Sequence, residues 1–416
     1  MRLEPVIGDD PREIMRGLRS ALHGAGPALG LGMVHDLPAE VRAGTAVVVT
    51  TSGSTGVPKS VILSRDALTA SAMATSARIG DGAWLLALPA SYVAGMQVLV
   101  RSIVADREPA WLTGAFTPQT FSAAALMMLS TDQGIRVPTY TSLVPAQLSK
   151  LLDAAAEDST VLAALQSFET ILVGGQAIAA ATLERAEDAG VRVVRTYGST
   201  ETSGGCIYDG QPLRGVSVRI TDGEVQVAGP TLADGYLADS AATEAAFLRD
   251  ESGTRWYRTG DAGIIEDGIL RVRGRIDNVI VSGGINVSLD RVERIVRTIP
   301  GLESAVVVGV SDDRWGEASV VVVPRGEALR RSESTQLEEA RVAVSEQIGA
   351  HARPTRLVLV DDLATLPSGK PDRETIRAAV AALHRRGQAA ACGPVSTTQK
   401  RLPSVSSRTT QSASSG

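Results

Sequence analysis

Apolar residues follow two alternating patterns through roughly the first 300 residues of the chain. Short runs rich in valine, isoleucine and leucine predict buried strands at 47–50, 84–88 and 170–173. Alanine-rich stretches with apolar residues three and four apart predict helices at 67–77, 143–156 and 177–189. Strands that alternate with helices are typical of an α/β layered domain.

The pattern changes twice after that. Residues 214–275 contain short strands separated by Gly and Asp turns, which predicts a small β subdomain. Beyond it, the runs predict a small α+β domain with helices and strands at 289–299, 304–310, 319–323, 336–348, 356–360 and 373–383. We therefore expect a large N-terminal domain at 1–275 and a small C-terminal domain at 276–385. Ser, Thr, Gln and Gly dominate 386–416, which predicts a disordered tail.

Composition excludes several classes of protein. Hydrophobic residues make up 44% of the 416 positions but aromatic residues only 3%, so the core must be built from Ala, Val, Leu and Ile. A formal net charge of −5 predicts no surface for nucleic acid. No apolar run approaches the ~18 residues of a membrane span, so we expect no membrane insertion. Two distant cysteines, Cys206 and Cys392, favour a cytoplasmic location over a disulfide framework. Four histidines in no ligand spacing argue against a zinc site or a Ser-His-Asp triad.

The segment 47–64, VVVTTSGSTGVPKSVILS, carries the strongest chemical signal. Hydroxyl side chains and glycines follow directly after a predicted strand, and a lysine comes next; the candidate residues are Thr51, Ser52, Gly53, Ser54, Thr55, Gly56 and Lys59. Small donors, exposed backbone N–H groups and one cation are what polyphosphate oxygens require. A surface turn is the alternative, but the strand that leads into the loop favours a phosphate site.

This loop differs from the phosphate loop GxxxxGK[ST] in two ways. Pro58 occupies the position of the second glycine, and a strand-like run rather than a helix follows Lys59. A P-loop-type hydrolase or kinase is therefore the second hypothesis, and a non-catalytic nucleotide-binding module is the third.

TSGSTGVPKS resembles the signature loop of the adenylate-forming superfamily, which includes acyl-CoA synthetases, luciferases and peptide-synthetase adenylation domains. Further segments resemble that family's motifs in order: YGSTE at 197–201, YRTGD at 257–261, GRID at 274–277 with SGG at 282–284, and LPSGK at 366–370. The resemblance covers the chain up to the tail. It implies the adenylate-forming enzyme fold in a short form, with a mobile C-terminal domain. It also implies an ATP-dependent acid–CoA ligase that forms an acyl-adenylate and then a thioester.

The resemblance also implies roles for individual residues. Lys370 would act on the α-phosphate and the acid, Thr200 would donate to the α-phosphate, and Glu201 would bind Mg²⁺. Residues expected around ATP are Gly174, Gly175, Gln176, Tyr197, Gly198, Asp261 and Arg275. Asp277 would be the hinge, and Gly283 and Gly284 would let the backbone approach the pantetheine arm of coenzyme A.

The carboxylic acid is suggested by weaker resemblances. Only about fifty residues precede the phosphate loop, and this compact form, with segments 88–102, 141–152 and 204–216, is similar to the o-succinylbenzoate–CoA ligases of menaquinone biosynthesis. The candidate acid-site residues are Tyr92, where many relatives carry His, and Arg101, Ser142 and Ser199. A dicarboxylic aromatic acid needs a cation for its second carboxylate, and Arg101 lies in the apolar stretch MQVLVRSI. The alternative for Arg101 is a position facing solvent, and the alternative for the activity is another aryl- or acyl-CoA ligase. A homo-oligomer is also possible.

Overall fold

The computed structural model describes residues 1–32, 37–51, 58–312, 314–325, 332–366 and 370–391. Two sheets form most of the first 240 residues. The outer sheet has the strand order Leu3–Pro5, Ala28–Gly32, Thr45–Thr51, Lys59–Ser64 and Gly235–Tyr236. The central sheet has the order Gln211–Pro212, Gly204–Tyr208, Val193–Ser199, Thr170–Gly174, Thr139–Leu143, Ala83–Leu86 and Ala110–Trp111. A short ribbon pairs Thr131–Asp132 with Ile135–Arg136.

Helices cover these sheets, so the central strands are buried and read as continuous apolar runs. The helices of this part are Pro11–Leu22, Arg65–Ile79, Val93–Val104, Pro118–Met127, Pro145–Ala155, Ser159–Ser167, Ala180–Asp188 and Ser240–Ala246. A proline opens three of them, because the first helical position needs no N–H donor. The predicted helix at 143–156 was therefore two residues too long at its start: the preceding strand ends at Leu143 and the helix begins at Pro145.

The β subdomain is an antiparallel sheet, as its short strands and turns predicted. Its spatial order is Ser217–Thr221, Glu224–Ala228, Arg255–Glu266 and Phe247–Arg249, and Ile269–Arg275 also pairs with the long strand Arg255–Glu266. That long strand carries the YRTGD motif, and its partner strand ends at Arg275.

The C-terminal unit places helices on both faces of one sheet. The strands run in the order Ile285–Ser288, Val279–Ser282, Gly316–Pro324 and Val306–Asp312, with Arg356–Val360 beside Gly316–Pro324. Val307 and Val321 pack with helices Leu289–Val296 and Glu333–Gln347, whereas Val306 and Val320 pack with Arg373–Ala391. Alternate residues of a strand point to opposite faces, so the valine-rich runs serve both layers.

The last helix differs from the prediction. It continues to Ala391, five residues past Arg386, where the tail was expected to begin. The three alanines at 389–391 favour the extension despite Gly387, because alanine has the highest helix propensity. The predicted disordered residues 392–416 lie outside the described residues. Within the described part of the chain, no helix combines the length and the apolar composition needed to cross a membrane. The architecture is the predicted one, a layered α/β body with a β subdomain and a small α+β domain.

Candidate active site

The parallel strands of the central sheet end at one edge, and the predicted site residues follow those ends. Strand Thr170–Gly174 ends at the Gly174-Gly175 pair, and Val193–Ser199 runs into Thr200 and Glu201. Ser142 is buried near the end of the next strand, where it pairs with Leu172. Ligands bind at the carboxyl ends of strands in such sheets, so the topology alone brings these positions together.

Thr200 and Glu201 lie in a single turn of 3₁₀-helix, Thr200–Thr202. The Ser199 N–H donates to the Thr202 hydroxyl at 2.8 Å, and Ser203 ends the turn with a left-handed backbone (φ 54°). The Ser203 carbonyl accepts hydrogen bonds from Ser71 at 3.1 Å and from Gln97 at 2.8 Å. These buried contacts fix the turn, and with it the direction of the Glu201 side chain.

One oxygen of the Glu201 carboxylate is available to bind a ligand. Its Oε1 accepts a 3.0 Å hydrogen bond from the Tyr236 hydroxyl, and Oε2 has no hydrogen-bond partner in the described ranges. The described residues contain no cluster of three His, Cys, Asp or Glu that could hold a metal alone. The site therefore fits a hard cation such as Mg²⁺ only when phosphate oxygens complete its shell, which is how Mg²⁺ is commonly bound.

The ends of the phosphate loop form a β hairpin. Thr51 and Lys59 pair across the antiparallel strands, and the Thr51 hydroxyl donates to the Lys59 carbonyl at 3.3 Å. The Lys59 ammonium lies 5.0 Å from the centre of the Tyr236 ring. Ser52, Gly53, Ser54, Thr55 and Gly56 lie outside the described residues. A strand, and not a helix, follows Lys59, which contradicts the P-loop hypothesis.

Tyr197, Asp261 and Arg275 meet where the central sheet contacts the β subdomain. The Tyr197 hydroxyl donates to Asp261 at 2.6 Å, and burial and then the Asp261 charge raise the pKa of Tyr197. Burial raises the pKa of Asp261, while Tyr197 and Arg275 act in the opposite direction. Gly198, beside Tyr197, lies so close to Gly204 that a side chain would clash with the Gly204 carbonyl.

Arg275 is held mainly by the predicted hinge residue. Its Nε and Nη2 donate to the two Asp277 oxygens, each at 2.9 Å, and Nη1 donates to the Thr259 carbonyl at 2.7 Å. These bonds lower the pKa of Asp277, and the Lys59 charge adds to that effect. Asp261 is a weaker partner, 3.5 Å from Nη1. The predicted contact of Arg275 with ribose or phosphate remains a prediction.

Lys370 reaches this cleft from the C-terminal unit. A β-carbon built on Gly175 would lie 3.4 Å from its Cε, so the lysine side chain lies directly against the Gly174-Gly175 turn. Gln176, next in the chain, is half-buried. Desolvation by the surrounding protein lowers the pKa of Lys370, although the lysine side chain is still exposed to water. The charges of Glu201 and Asp261 act in the opposite direction. Pro367–Gly369 lie outside the described residues.

Arg101 is buried, which excludes the solvent-facing alternative, and its contact with the acid remains a prediction. It is 7% exposed, its guanidinium lies 4.8 Å from the Trp84 ring centre, and Nη2 is 3.5 Å from the Tyr208 hydroxyl. Its Nε has no hydrogen-bond partner, and no carboxylate among the described residues forms an ion pair with it. Burial lowers the pKa of Arg101, and Tyr208 acts in the opposite direction. Gln97, which donates to the carbonyl of Ser203 at the end of the Thr200–Thr202 turn, lies one helical turn before Arg101.

The contacts of the other acid-site candidates, Tyr92, Ser142 and Ser199, do not indicate whether they bind the acid. Tyr92 precedes helix Val93–Val104, and the neighbouring Ser91 N–H donates to Asp9 at 2.6 Å. Burial, followed by the Asp9 charge, raises the pKa of Tyr92. Ser142 and Ser199 both lie at the edge formed by the strand ends.

Gly283 and Gly284 connect the strands Val279–Ser282 and Ile285–Ser288. Both have positive φ, 58° and 81°, as the favoured two-residue hairpin turn requires. The turn itself therefore explains both glycines, and a role beside pantetheine remains a prediction.

Sequence reasoning missed two residues that organise the site. Tyr236 contacts both Lys59 and Glu201, and it follows Gly235, where a side chain would clash with Thr243. The Thr259 hydroxyl accepts the Asp261 backbone N–H at 3.0 Å and donates to the Val225 carbonyl at 2.8 Å, and so fixes the backbone at Asp261. Thr259 lies in the YRTGD motif, but only Asp261 of that motif was assigned a role. Gly235 and Tyr236 belong to no motif that the sequence analysis identified.

Comparison with known proteins identifies the family of this chain. The sequence model of the AMP-binding enzyme family matches residues 34–237, and that of the AMP-binding enzyme C-terminal domain matches 291–370. A Mycobacterium tuberculosis protein named "Probable 2-succinylbenzoate–CoA ligase" is 38% identical over 87% of this chain and 94% of its own length. A Listeria monocytogenes 2-succinylbenzoate–CoA ligase is 26% identical over 80% of this chain and 69% of its own length.

Solved structures share the fold. An o-succinylbenzoate–CoA synthetase from Bacillus subtilis, in complex with its acyl-adenylate intermediate, gives a TM-score of 0.68 at 22% identity over 90% of this chain and 83% of that one. ATP-bound MatB from Rhodopseudomonas palustris gives 0.69 at 22% identity over 85% and 72%. The chain belongs to the AMP-binding enzyme family, and it carries that family's N-terminal and C-terminal domains in order.

Proposed function

We propose that this chain is an ATP-dependent acid–CoA ligase whose acid is o-succinylbenzoate. The observation that carries the proposal is the convergence of Lys370, Glu201 and the Tyr197–Asp261 pair on one cleft at the ends of the central strands. The names of the relatives support the choice of acid, and the 38% identity extends over nearly the whole of one of them.

The reaction has two steps. A carboxylate oxygen of the acid attacks the α-phosphorus of ATP, and pyrophosphate leaves. The sulfur of coenzyme A then attacks the acyl carbon, and AMP leaves with the carboxylate oxygen that it acquired. Negative charge grows around phosphorus in the first step, so positioned cations and hydrogen-bond donors supply most of the catalysis.

The chain's own groups suit that task. Lys370 would neutralise charge at the α-phosphate and the attacking carboxylate, and the Thr200 hydroxyl would donate to the same phosphate. Mg²⁺, held by Glu201 and phosphate oxygens, would neutralise charge on the polyphosphate. Thr51 and Lys59 lie at the ends of the loop expected to hold the outer phosphates. Asp261, whose carboxylate is oriented by the Tyr197 hydroxyl, would accept hydrogen bonds from the ribose hydroxyls, and the Tyr197 ring would lie against adenine.

Arg101 supports a dicarboxylic acid. A buried guanidinium without a carboxylate partner is costly, so a ligand that brings its own carboxylate would supply the missing partner. A non-catalytic nucleotide-binding module would need neither Lys370 nor Glu201 in the cleft.

Incubation of the protein with ATP, coenzyme A and a panel of acids tests the proposal. Mass spectrometry should detect AMP and o-succinylbenzoyl-CoA, with much lower kcat/KM for benzoate and for aliphatic acids. Faster turnover of a monocarboxylic acid would show that the acid is wrong, while the ligase reaction would stand.

Glu201→Gln should sharply raise the Mg²⁺ concentration needed for half-maximal adenylation. The amide keeps the shape but removes the charge that the metal needs. Calorimetric titration of a non-hydrolysable ATP analogue, with and without Mg²⁺, should show that the variant has lost the Mg²⁺-dependent part of the affinity. Glu187→Gln, at an exposed glutamate of helix Ala180–Asp188, is the matched control. Wild-type Mg²⁺ dependence in Glu201→Gln would exclude this residue as a metal ligand.

A further inference from the structure

The C-terminal unit contains a buried carboxylate that the roles above do not use. Glu293 lies on helix Leu289–Val296 and is 6% exposed. Its Oε2 accepts the Val307 N–H at 2.9 Å and Arg373 Nη2 at 2.7 Å, and its Oε1 is 2.8 Å from Arg297 Nη2. We call Glu293, Arg297 and Arg373 the Glu293 cluster. A carboxylate this buried tolerates its charge only because both oxygens are paired.

One arm of the cluster leads to Lys370. Arg373 is three residues further along the chain, which bounds the Cα separation at about 10 Å. Its Nη1 also donates to the Val307 carbonyl at 3.0 Å, so the guanidinium is bound to the sheet on two sides. Two backbone hydrogen bonds join the described residues on either side of this point: the Leu366 N–H donates to the Lys370 carbonyl and the Asp372 N–H donates to the Ala364 carbonyl, each at 2.8 Å. We call the described residues 364–366 and 370–372 the lysine segment, and Arg373 holds its C-terminal end.

The other arm leads to the large domain. Arg297 is 12% exposed in its side chain, and its Nε donates to the Ala305 carbonyl at 2.8 Å. Its Nη1 lies 3.5 Å from the carbonyl of Ala177, two residues after the Gly175 that Lys370 contacts. The Glu293 carboxylate thus pairs both with Arg373, which holds the lysine segment, and with Arg297, which contacts the chain beside Gly175.

Helix Leu289–Val296 also contacts the hinge. Asp290 accepts the Arg275 backbone N–H at 2.7 Å and the Asn278 side-chain amide at 2.7 Å, and it lies 3.6 Å from Arg373. Lys370 itself forms no ion pair within the described ranges, so its position depends on the backbone that carries it.

We propose that the Glu293 cluster positions Lys370 for the adenylation half-reaction. Arg373 holds the lysine segment, and Arg297 fixes the position of that segment relative to the Gly174-Gly175 turn. This inference rests on the proposed role of Lys370. The cluster residues touch no substrate and act only through the lysine. Misplacing a catalytic group by about 1 Å can cost on the order of 100-fold in rate. A purely structural ion pair would instead affect stability and both half-reactions alike.

The test uses Arg373→Met and Arg297→Met, with Arg377→Met as the matched control, since Arg377 is an exposed arginine of the same helix as Arg373. Acyl-adenylate formation is measured by acid-dependent exchange of pyrophosphate into ATP, and thioester formation is measured from supplied acyl-adenylate. We expect adenylation to fall about 10- to 100-fold in both cluster variants. Thioester formation and the control should change less than about threefold, a range that surface substitutions rarely exceed. Equal loss of both half-reactions would overturn the proposal.

A double substitution separates positioning from structure. If Arg373 acts through Lys370, adding Arg373→Met to Lys370→Ala should cause no further loss of adenylation. A further tenfold loss in the double variant would contradict the proposal. Should Arg373→Met fail to fold, Arg297→Met with the same double substitution decides. Absence of adenylation in the wild-type protein would instead contradict the proposed function, so the two failures are distinguishable.

Discussion

Lys370→Ala should lower acyl-adenylate formation about a hundredfold or more, to a small residual rate, and leave thioester formation from supplied acyl-adenylate largely intact. Lys370 lies against Gly175 in the cleft, where its charge opposes the negative charge that grows at phosphorus only in the first step. Losing such a group typically costs a few kcal/mol, on the order of a hundredfold or more in rate. Single-turnover measurements of the two half-reactions give the comparison.

Lys150→Ala is the matched control, since Lys150 is an exposed lysine of helix Pro145–Ala155. It should leave both half-reactions at the wild-type rate. Equal losses of the two half-reactions in Lys370→Ala would show that the lysine is not specific to adenylation.

Arg101→Leu should raise KM for o-succinylbenzoate strongly and leave KM for ATP nearly unchanged. The second carboxylate of the acid would then be buried without a cation. Removing one partner of a buried charge pair costs about 2–5 kcal/mol, roughly 30-fold to several thousandfold in kcat/KM. The preference for the diacid over a benzoate that lacks the second carboxylate should shrink by a similar factor.

Stability provides the internal check for Arg101. The guanidinium is buried without a carboxylate partner in the described structure, so leucine at this position should not lower the melting temperature greatly. Arg78→Leu, at an exposed arginine of helix Arg65–Ile79, makes the same substitution outside the site. An unchanged ratio between the two acids in Arg101→Leu would remove this residue from the acid site and weaken the case for a dicarboxylic acid.

Much of the fold could be predicted from local patterns. The valine-rich runs became strands, and Arg356–Val360 has the predicted bounds, since a short apolar run between polar residues is typical of a strand. The errors in the prediction occurred at the ends of helices and strands. The helix predicted at 143–156 hid a strand boundary, and only Pro145 marked the correct start.

The candidate site was predictable only as far as motifs reach. Lys370, Glu201, Tyr197 and Asp261 were found by resemblance, and the described structure brings them to one cleft. Sequence could not decide whether Arg101 faces solvent or the core, because the answer depends on Trp84 and Tyr208 in other elements.

Long-range partners were invisible for the same physical reason. Tyr236 bonds Glu201 across 35 positions, and Arg373 bonds Glu293 across 80. In the sequence LDRVERIV, Glu293 looks like part of a solvated helix face, yet the structure buries it. No periodicity records which distant arginine will neutralise a buried carboxylate.

The transfer of oxygen from acid to AMP tests the central claim most directly. The protein is incubated with ATP, coenzyme A and o-succinylbenzoate whose carboxylates carry ¹⁸O, and the nucleotide product is analysed by mass spectrometry. Attack of the carboxylate on the α-phosphorus, followed by departure of AMP, predicts AMP that contains one ¹⁸O together with the o-succinylbenzoyl thioester. Formation of ADP, or of AMP without label, would contradict an acyl-adenylate pathway.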